Sequence, residues 1–323
     1  QRRRRMSRIV AVTGATGYVG RFVVDELLRR GRAVRALTRP GSDRDGISAP
    51  IEWLEGDLRS PDALTALADG AESVVHLAYE HAPGRYRGGE GADLAAWLDA
   101  NLTGSLRLLI AAREAGVKRF IFLSSRAVFS HTEPGRLLDE SHPTAPDSHY
   151  GAYKAAVESF LSSFAATGGM TTVALRATGV YGVTTPVERS KWWDIVRTVV
   201  GGGEVTSTRG GTEVHGADAA RAVYALLERP DLGGVFHLSD LYVTHRDIVR
   251  LARRYAKRPG LLPAAPPAPV ANLLVCRRLR SLGLTLGGTP LLEATVAQLV
   301  QDAERDCEHI EPTPAAPASF SSG

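Results

Sequence analysis

A doubly wound α/β fold, a parallel sheet with helices on both faces, is predicted by three observations. Short β-branched apolar runs alternate with stretches at helical spacing over residues 8–176. A glycine turn, Gly14-Ala15-Thr16-Gly17-Tyr18-Val19-Gly20, joins the first run to the first helix. With 323 residues, 44% hydrophobic and 23% charged, the chain has the composition of an ordinary globule, enough for one large α/β domain or two small ones.

The elements follow in order. Arg8 to Thr13 reads as a buried parallel strand, and Phe22, Val23, Val24, Leu27 and Leu28 mark a helix over 18–30. Further strands are expected at 33–38, 51–54, 73–77, 119–124 and 171–176, with helices at 61–69, 92–115 and 148–166. This alternation implies right-handed βαβ units. Beyond residue 180, Trp192 to Val200 reads as a helix that Gly201-Gly202-Gly203 ends, and Glu213 to His215 as a short strand. Asp218 to Leu227 is a helix, Val235 to Leu238 a strand and Thr244 to Tyr255 a helix. Pro259 to Pro269 is a linker rich in proline and alanine, and Leu273 to Leu284 an apolar-basic helix. Glu311 to Gly323 is a polar, proline-rich tail expected to be disordered.

The glycine turn has the context of a phosphate site, because a strand precedes it and a helix follows. Gly14 allows the tight turn, Gly17 lets backbone approach a pyrophosphate at the helix N-terminus, and Gly20 lets helix and strand pack closely. Farther on, Ser-His-Tyr-Gly-Ala-Tyr-Lys places Tyr150 and Lys154 four residues apart, on one face of a helix. An ammonium there lowers the phenol pKa and makes Tyr150 a proton carrier near neutral pH. Ser124 and Ser125 close the strand over 119–124.

Glycine spacing of three and three, Gly56-Asp57-Leu58 after the third strand, Val74 to Ala78, Asn101, Phe122 to Phe129, Leu175 to Gly182 and Val214 to Ala220 come in the order of one family. The chain resembles the extended short-chain dehydrogenase/reductase superfamily, the NAD-dependent epimerase/dehydratase family. The likeness covers residues 8–256 well and the rest loosely. It implies a Rossmann-type doubly wound parallel sheet with a small C-terminal substrate-binding domain. The dinucleotide-binding domain is then 7–180, with 216–240 returning to it, and the substrate-binding part is 181–215 and 241–310. Residues 1–6 are a disordered basic leader and 311–323 the tail.

The resemblance also implies roles. Tyr150 is the acid or base, Lys154 lowers its pKa and holds the nicotinamide ribose, and Ser125 bonds the substrate oxygen. Ser125 is preferred to Ser124 because it stands three before Val128; Ser124 lies nearer the cofactor. The cofactor is expected against Gly14, Thr16, Gly17, Tyr18, Val19, Arg39, Asp57, Leu58, Leu77, Ala78, Ser124, Tyr150, Lys154, Ala177, Gly179 and Val180. In NAD-preferring members an Asp ends the second strand; here Thr38 stands there and Arg39 follows, so NADP(H) is expected over NAD(H). Tyr79, His81, Ser125 and Trp192 are candidates for touching substrate. Asn101 reads as structural, and His215 with Asp218 as a helix N-terminus.

Departures from the family narrow the substrate. Arg126-Ala127 replaces the Asp-Glu that follows the catalytic hydroxyl in sugar-nucleotide dehydratases. Gly179 and Thr212-Glu213 stand where sugar-nucleotide epimerases carry an Asn and an Arg for the diphosphate, and a carboxylate at Glu213 would oppose that anion, though Arg189, Lys191 or Arg209 could compensate. The proline-rich linker, apolar-basic helix and Gly-Thr-Pro-Leu-Leu resemble the dihydroflavonol-reductase and 3β-hydroxysteroid-dehydrogenase side. The expected activity is hydride transfer between NADP(H) and a ketone or secondary alcohol; the alternative is a nucleotide-sugar epimerase or ketoreductase holding NAD tightly.

Composition fills in the partners. Arg2 to Arg5 account for all of the +4 formal charge, and Met6 follows, so a leader is expected rather than a nucleic-acid arm. No apolar run is long enough to span a membrane. Two cysteines, Cys276 and Cys307, give no disulfide framework, which fits a reducing cytoplasm, and no histidine–cysteine cluster points to a metal. The family likeness implies a homodimer through the helices over 92–115 and 148–166.

Overall fold

The computed structural model describes residues 9–47, 50–82, 85, 88–130, 132, 136–265 and 273–309. The leader, the tail and the end of the linker over 266–269 lie outside them. The strands are β1 (Ile9–Thr13), β2 (Ala33–Thr38), β3 (Glu52–Glu55), β4 (Ser73–His76), β5 (Arg119–Ser125), β6 (Thr171–Ala177), β7 (Gly179–Tyr181), β8 (Gly210–His215), β9 (Gly234–Leu238) and β10 (Leu241–Thr244). Seven form a large sheet in the order β3-β2-β1-β4-β5-β6-β9, and every pairing in it is parallel. The smaller sheet, β10-β8-β7, pairs β8 parallel to β7 and antiparallel to β10.

Both faces of the large sheet are covered, which is why its strands are continuously apolar. On one face α1 (Tyr18–Arg29) packs beside α7 (Gly216–Leu227), burying Val23, Val24 and Leu27 with Ala219, Ala222 and Val223. The other face carries α2 (Pro61–Ala68), α4 (Gly104–Glu114) and α5 (His149–Ala166), with Leu64, Leu67, Leu108, Leu109, Val157 and Leu161 in the core. A third core forms where α6 (Trp193–Val200), α8 (His245–Tyr255) and α10 (Gly288–His309) meet around Val196, Ile248, Val296 and Leu299. The chain runs outward from β1 to β3 and then returns to place β4 on the opposite side of β1. That reversal opens a crevice beyond the carboxyl ends of β1 and β4.

The structure differs from the expected elements at three places. The helix expected over 92–115 is α3 (Leu94–Leu98), a wider π turn over Asp99–Thr103, then α4. The helix expected over Leu273 to Leu284 is only α9 (Arg277–Arg280). Leu274, Cys276 and Leu279 instead join the core of the large sheet, and Arg278 donates to the carbonyls of Val235 (2.6 Å) and Gly233 (2.8 Å). This segment, expected in the substrate-binding part, therefore seals the β9 edge. α10 has no counterpart among the elements expected from the sequence, although Pro290 suits a helix start. Among the described residues no helix is long and apolar enough to cross a membrane.

Candidate active site

A cavity of about 920 Å³ lies at the crevice and takes in the carboxyl ends of β1, β2, β4, β5 and β6. All sixteen residues expected against the cofactor line it. Gly14 has φ +74°, and a β-carbon there would stand 2.6 Å from the Ala78 nitrogen. At Gly20 the added carbon would meet the Gly14 carbonyl oxygen at 1.9 Å, so α1 lies against the turn as closely as backbone allows. Gly17 is the N-cap of α1 and offers no side chain to it. The first amides of α1 are thus left for an anionic ligand, and this cradle fits a dinucleotide pyrophosphate. The Tyr18 hydroxyl donates to the Gly182 carbonyl (2.7 Å) and accepts from the Lys191 amide (3.0 Å), pinning the turn to the segment that follows β7.

One end of the cavity is charged. Burial pushes the Asp57 carboxyl up, but the Arg59 amide (2.8 Å), the Ser60 hydroxyl (3.1 Å) and the Arg59 guanidinium (3.3 Å) outweigh it and hold the group below its usual range. Arg59 also grips Glu80 at 2.7 and 3.1 Å, a clamp that the sequence did not reveal. Thr38 is buried, whereas Arg39 is 64% exposed and stands 3.8 Å from Glu80.

The middle of the cavity brings Ser125, Tyr150 and Lys154 together. Ser148 caps α5 by accepting from the Gly151 amide (3.2 Å), which starts the helix just before Tyr150. A β-carbon at Gly151 would lie 2.2 Å from the Ala127 carbonyl oxygen, so α5 is pressed against the turn after β5. That contact holds the start of α5, which carries Tyr150, against the turn that follows Ser125, and both residues line the cavity. The Ser125 oxygen accepts from the Ala127 amide (3.1 Å), leaving its O–H as a donor. Lys154 donates to the Leu123 carbonyl (2.7 Å) and lies 4.4 Å from the Phe122 ring centre and 5.7 Å from that of Tyr150. Burial pushes its pKa down to about 7, against the opposing charge of Glu158. Ser124 borders the cavity, yet its hydroxyl donates to Glu158, which Arg176 holds at 2.7 Å.

The Lys154 shift has a sign that can be measured. Folded Lys154 loses its proton near pH 7, while in the unfolded chain it keeps it to about pH 10.4. Between those values the unfolded state binds more protons, so this group's contribution to stability rises with pH. Lys154→Met removes that contribution. The variant is expected to melt above the wild type at pH 6 and to show a flatter rise in melting temperature from pH 7 to 10. Parallel melting curves across that range would count against a buried, proton-shedding Lys154.

Behind the site runs a one-way hydrogen-bond chain. Ser105 donates to the Asn101 carbonyl (2.5 Å) and so accepts from His76 Nε2 (2.8 Å); His76 Nδ1 then accepts from Thr13 (2.6 Å). Burial, helped by the Lys154 charge, drops the His76 pKa to about 3, so the ring is neutral. Asn101 sits on the π turn and clamps both backbone groups of Glu80, at 2.8 and 3.0 Å. It also donates to the Trp97 carbonyl (3.0 Å), so its described hydrogen bonds are to backbone groups. His215 caps α7 by accepting from the Ala217 amide (3.0 Å), and Asp218 accepts from Gly287 (2.8 Å).

Of the four substrate candidates, Tyr79, His81 and Ser125 line the cavity. The Tyr79 ring centre is 4.9 Å from that of Tyr150, and burial raises its phenol pKa. Trp192 does not line the cavity. It takes a left-handed conformation (φ 69°) at the start of α6, which turns its ring onto Tyr181 (5.1 Å) in the third core. In its place stand Arg126, Arg189, Lys191, Glu213 and Tyr242.

Comparison with known proteins agrees with this geometry. Residues 10–239 match the model of the NAD dependent epimerase/dehydratase family. The chain is 31% identical over 238 residues, 71% of its length and 67% of the relative's, to the 4-hydroxy-2-methyl-3-oxo-4-farnesyl-3,4-dihydroquinoline-1-oxide ketoreductase of Stigmatella aurantiaca. It spans only 40% of the length of another curated relative, a Synechocystis sp. protein provisionally named a dihydroflavonol 4-reductase, at 34% identity over 144 residues, 44% of this chain. It superposes with TM-score 0.75 and 25% identity on the Thermus thermophilus UDP-glucose 4-epimerase in complex with NAD, covering 92% of this chain and 99% of that one.

Proposed function

The chain belongs to the NAD dependent epimerase/dehydratase family, and on that premise we propose that it is an NADP(H)-dependent reductase or dehydrogenase acting on a ketone or secondary alcohol. The observation that carries the proposal is the convergence of Ser125, Tyr150 and Lys154 on one cavity that also holds the glycine cradle. Tyr150 gives its phenolic proton to the carbonyl oxygen in reduction and takes it back in oxidation. Ser125 donates to the same oxygen and stabilises charge developing there. Lys154 in its ammonium form favours the phenolate and eases the transfer. A dinucleotide whose pyrophosphate sat in the glycine cradle would supply the hydride chemistry through its nicotinamide; the residues of the chain supply position. The ketoreductase likeness over 71% of the chain supports a ketone substrate. A panel of ketones, secondary alcohols and sugar nucleotides, followed by NADPH absorbance, tests it; turnover confined to sugar nucleotides would sink it.

Exposed Arg39 beside buried Thr38 supports NADP(H), since a guanidinium can grip a 2′-phosphate with two hydrogen bonds. Charge-assisted hydrogen bonds are worth about 1.5–3 kcal/mol, so Arg39→Asp is expected to raise the KM for NADPH by roughly ten- to a hundredfold. The KM for NADH should barely move. Initial rates with both cofactors check this, and equal losses for the two would remove Arg39 from cofactor choice.

The solved-structure likeness favours a second reading, a nucleotide-sugar epimerase with tightly held NAD. Interconversion of UDP-glucose and UDP-galactose without cofactor release would establish it instead. For assembly, a homodimer through α4 and α5 is supported by the exposed apolar side chains Ile110 on α4 and Phe160 on α5. Light scattering on the intact chain tests it.

A further inference from the structure

Gly179, Lys191 and Glu213 form one unit at the substrate end of the cavity. Glu213 sits in the middle strand of the small sheet, in register with Gly179 on β7. Its carboxylate lies across that glycine: a β-carbon at Gly179 would come within 2.4 Å of Glu213 Oε2 and 2.8 Å of Lys191 Nζ. A side chain at 179 and the pair as it stands cannot share this space. Glu213 is 6% exposed, and its Oε2 holds Lys191 Nζ at 2.5 Å. Burial raises the Glu213 pKa, and the Lys191 charge opposes it.

The neighbouring cation is engaged as well. Arg189 reaches across to Asp43 at 3.0 Å, and Arg209 is not among the residues lining the cavity. Of the three cations that the sequence offered for a diphosphate, Lys191 and Arg189 are therefore paired with carboxylates of the chain itself, and Arg209 stands off the lining. An anion arriving there meets a buried carboxylate, and like charges brought together in a poorly solvated site repel strongly.

We propose that Glu213 is a specificity-determining residue: by neutralising Lys191 and filling the space over Gly179, it restricts this end of the cavity to uncharged substrate groups and excludes nucleoside diphosphates. The proposal rests on the reductase reading but is tested separately from it, because its readout is binding rather than turnover. UDP is titrated calorimetrically into the protein saturated with oxidised cofactor, so that the nucleotide half of the cavity is filled. The wild type is expected to show no saturable UDP binding at millimolar concentration. Glu213→Gln keeps the shape, frees the Lys191 charge, and is expected to gain affinity for UDP by about tenfold or more. Glu213→Asp keeps the negative charge and should go on excluding UDP, which guards against a gain caused by loosened packing. Adding Lys191→Met to Glu213→Gln should abolish the gain. UDP binding by the wild type as tight as by Glu213→Gln, or a gain that survives loss of Lys191, overturns the proposal. A protein that reduces no ketone yet admits UDP only after Glu213 is replaced would end the reductase reading and leave this one standing.

Discussion

Tyr150→Phe is expected to lower kcat for ketone reduction by about a thousandfold, within the hundred- to ten-thousandfold range of a lost general acid or base. The substitution removes one oxygen and keeps the ring. Packing on Tyr79, at 4.9 Å between ring centres, and the position of Lys154, 5.7 Å from the Tyr150 ring centre, are preserved. Cofactor affinity and melting temperature should therefore stay near wild type. What disappears is the proton delivered to the carbonyl oxygen, leaving Ser125 to stabilise the developing charge without neutralising it. Initial rates at saturating NADPH measure the loss, and fluorescence quenching of bound NADPH verifies that the cofactor still binds. Wild-type kcat in the Tyr150→Phe variant would remove Tyr150 from proton transfer. A matching fall in cofactor binding would assign it to holding the nicotinamide instead.

The parts of this protein that were legible in the sequence are those set by local spacing. Strand runs such as Ile9–Thr13 are β-branched because the sheet is buried on both faces. Gly14 announces a tight turn and Gly20 a close approach of helix to strand, and the structure has Gly14 at φ +74° and Gly20 against the Gly14 carbonyl. Tyr150 and Lys154 share a helix face because they lie four apart. The roles of Ser125 and Asp57 came from family likeness, since a serine at a strand end and an Asp after a strand have many uses. Long-range choices were not legible. Nothing near Ser124 indicates that its hydroxyl serves Glu158, thirty-four residues on. Nothing near Lys191 shows that its partner is Glu213, twenty-two residues away. Trp192 read as a candidate for touching substrate or as an anchor of the small domain, and its left-handed backbone accompanies a ring placed in the third core, the second of these. Such outcomes depend on which elements the topology brings together, and periodicity carries no record of that.

Glu158→Ala tests one of these long-range arrangements and is expected to lower stability steeply. Glu158 and Arg176 are 7% and 5% exposed and share hydrogen bonds of 2.7, 3.0 and 3.1 Å beneath α5. Removing the carboxylate leaves the guanidinium charged and buried against the Phe129 ring, 4.8 Å away, and strips Ser124 of its acceptor. Breaking one side of a buried pair costs about 3–5 kcal/mol, a shift on the order of 10 °C in melting temperature for a domain of this size. Glu158→Gln keeps an oxygen for Ser124 and Arg176 and should lose less. The double variant Glu158→Leu with Arg176→Met removes both charges, and its stability should return toward wild type. Its activity should not return. Glu158 is the charge that raises the Lys154 pKa against burial, so without it the ammonium titrates below about 7 and is scarcer at neutral pH. The pH at which kcat is half-maximal on the alkaline side should move down in every variant that lacks the Glu158 charge, whether or not stability is restored. Recovery of both stability and pH profile in the double variant would make the pair a packing element only. A profile that stays shifted while stability recovers would make Glu158 a positioning residue for Lys154, acting through charge.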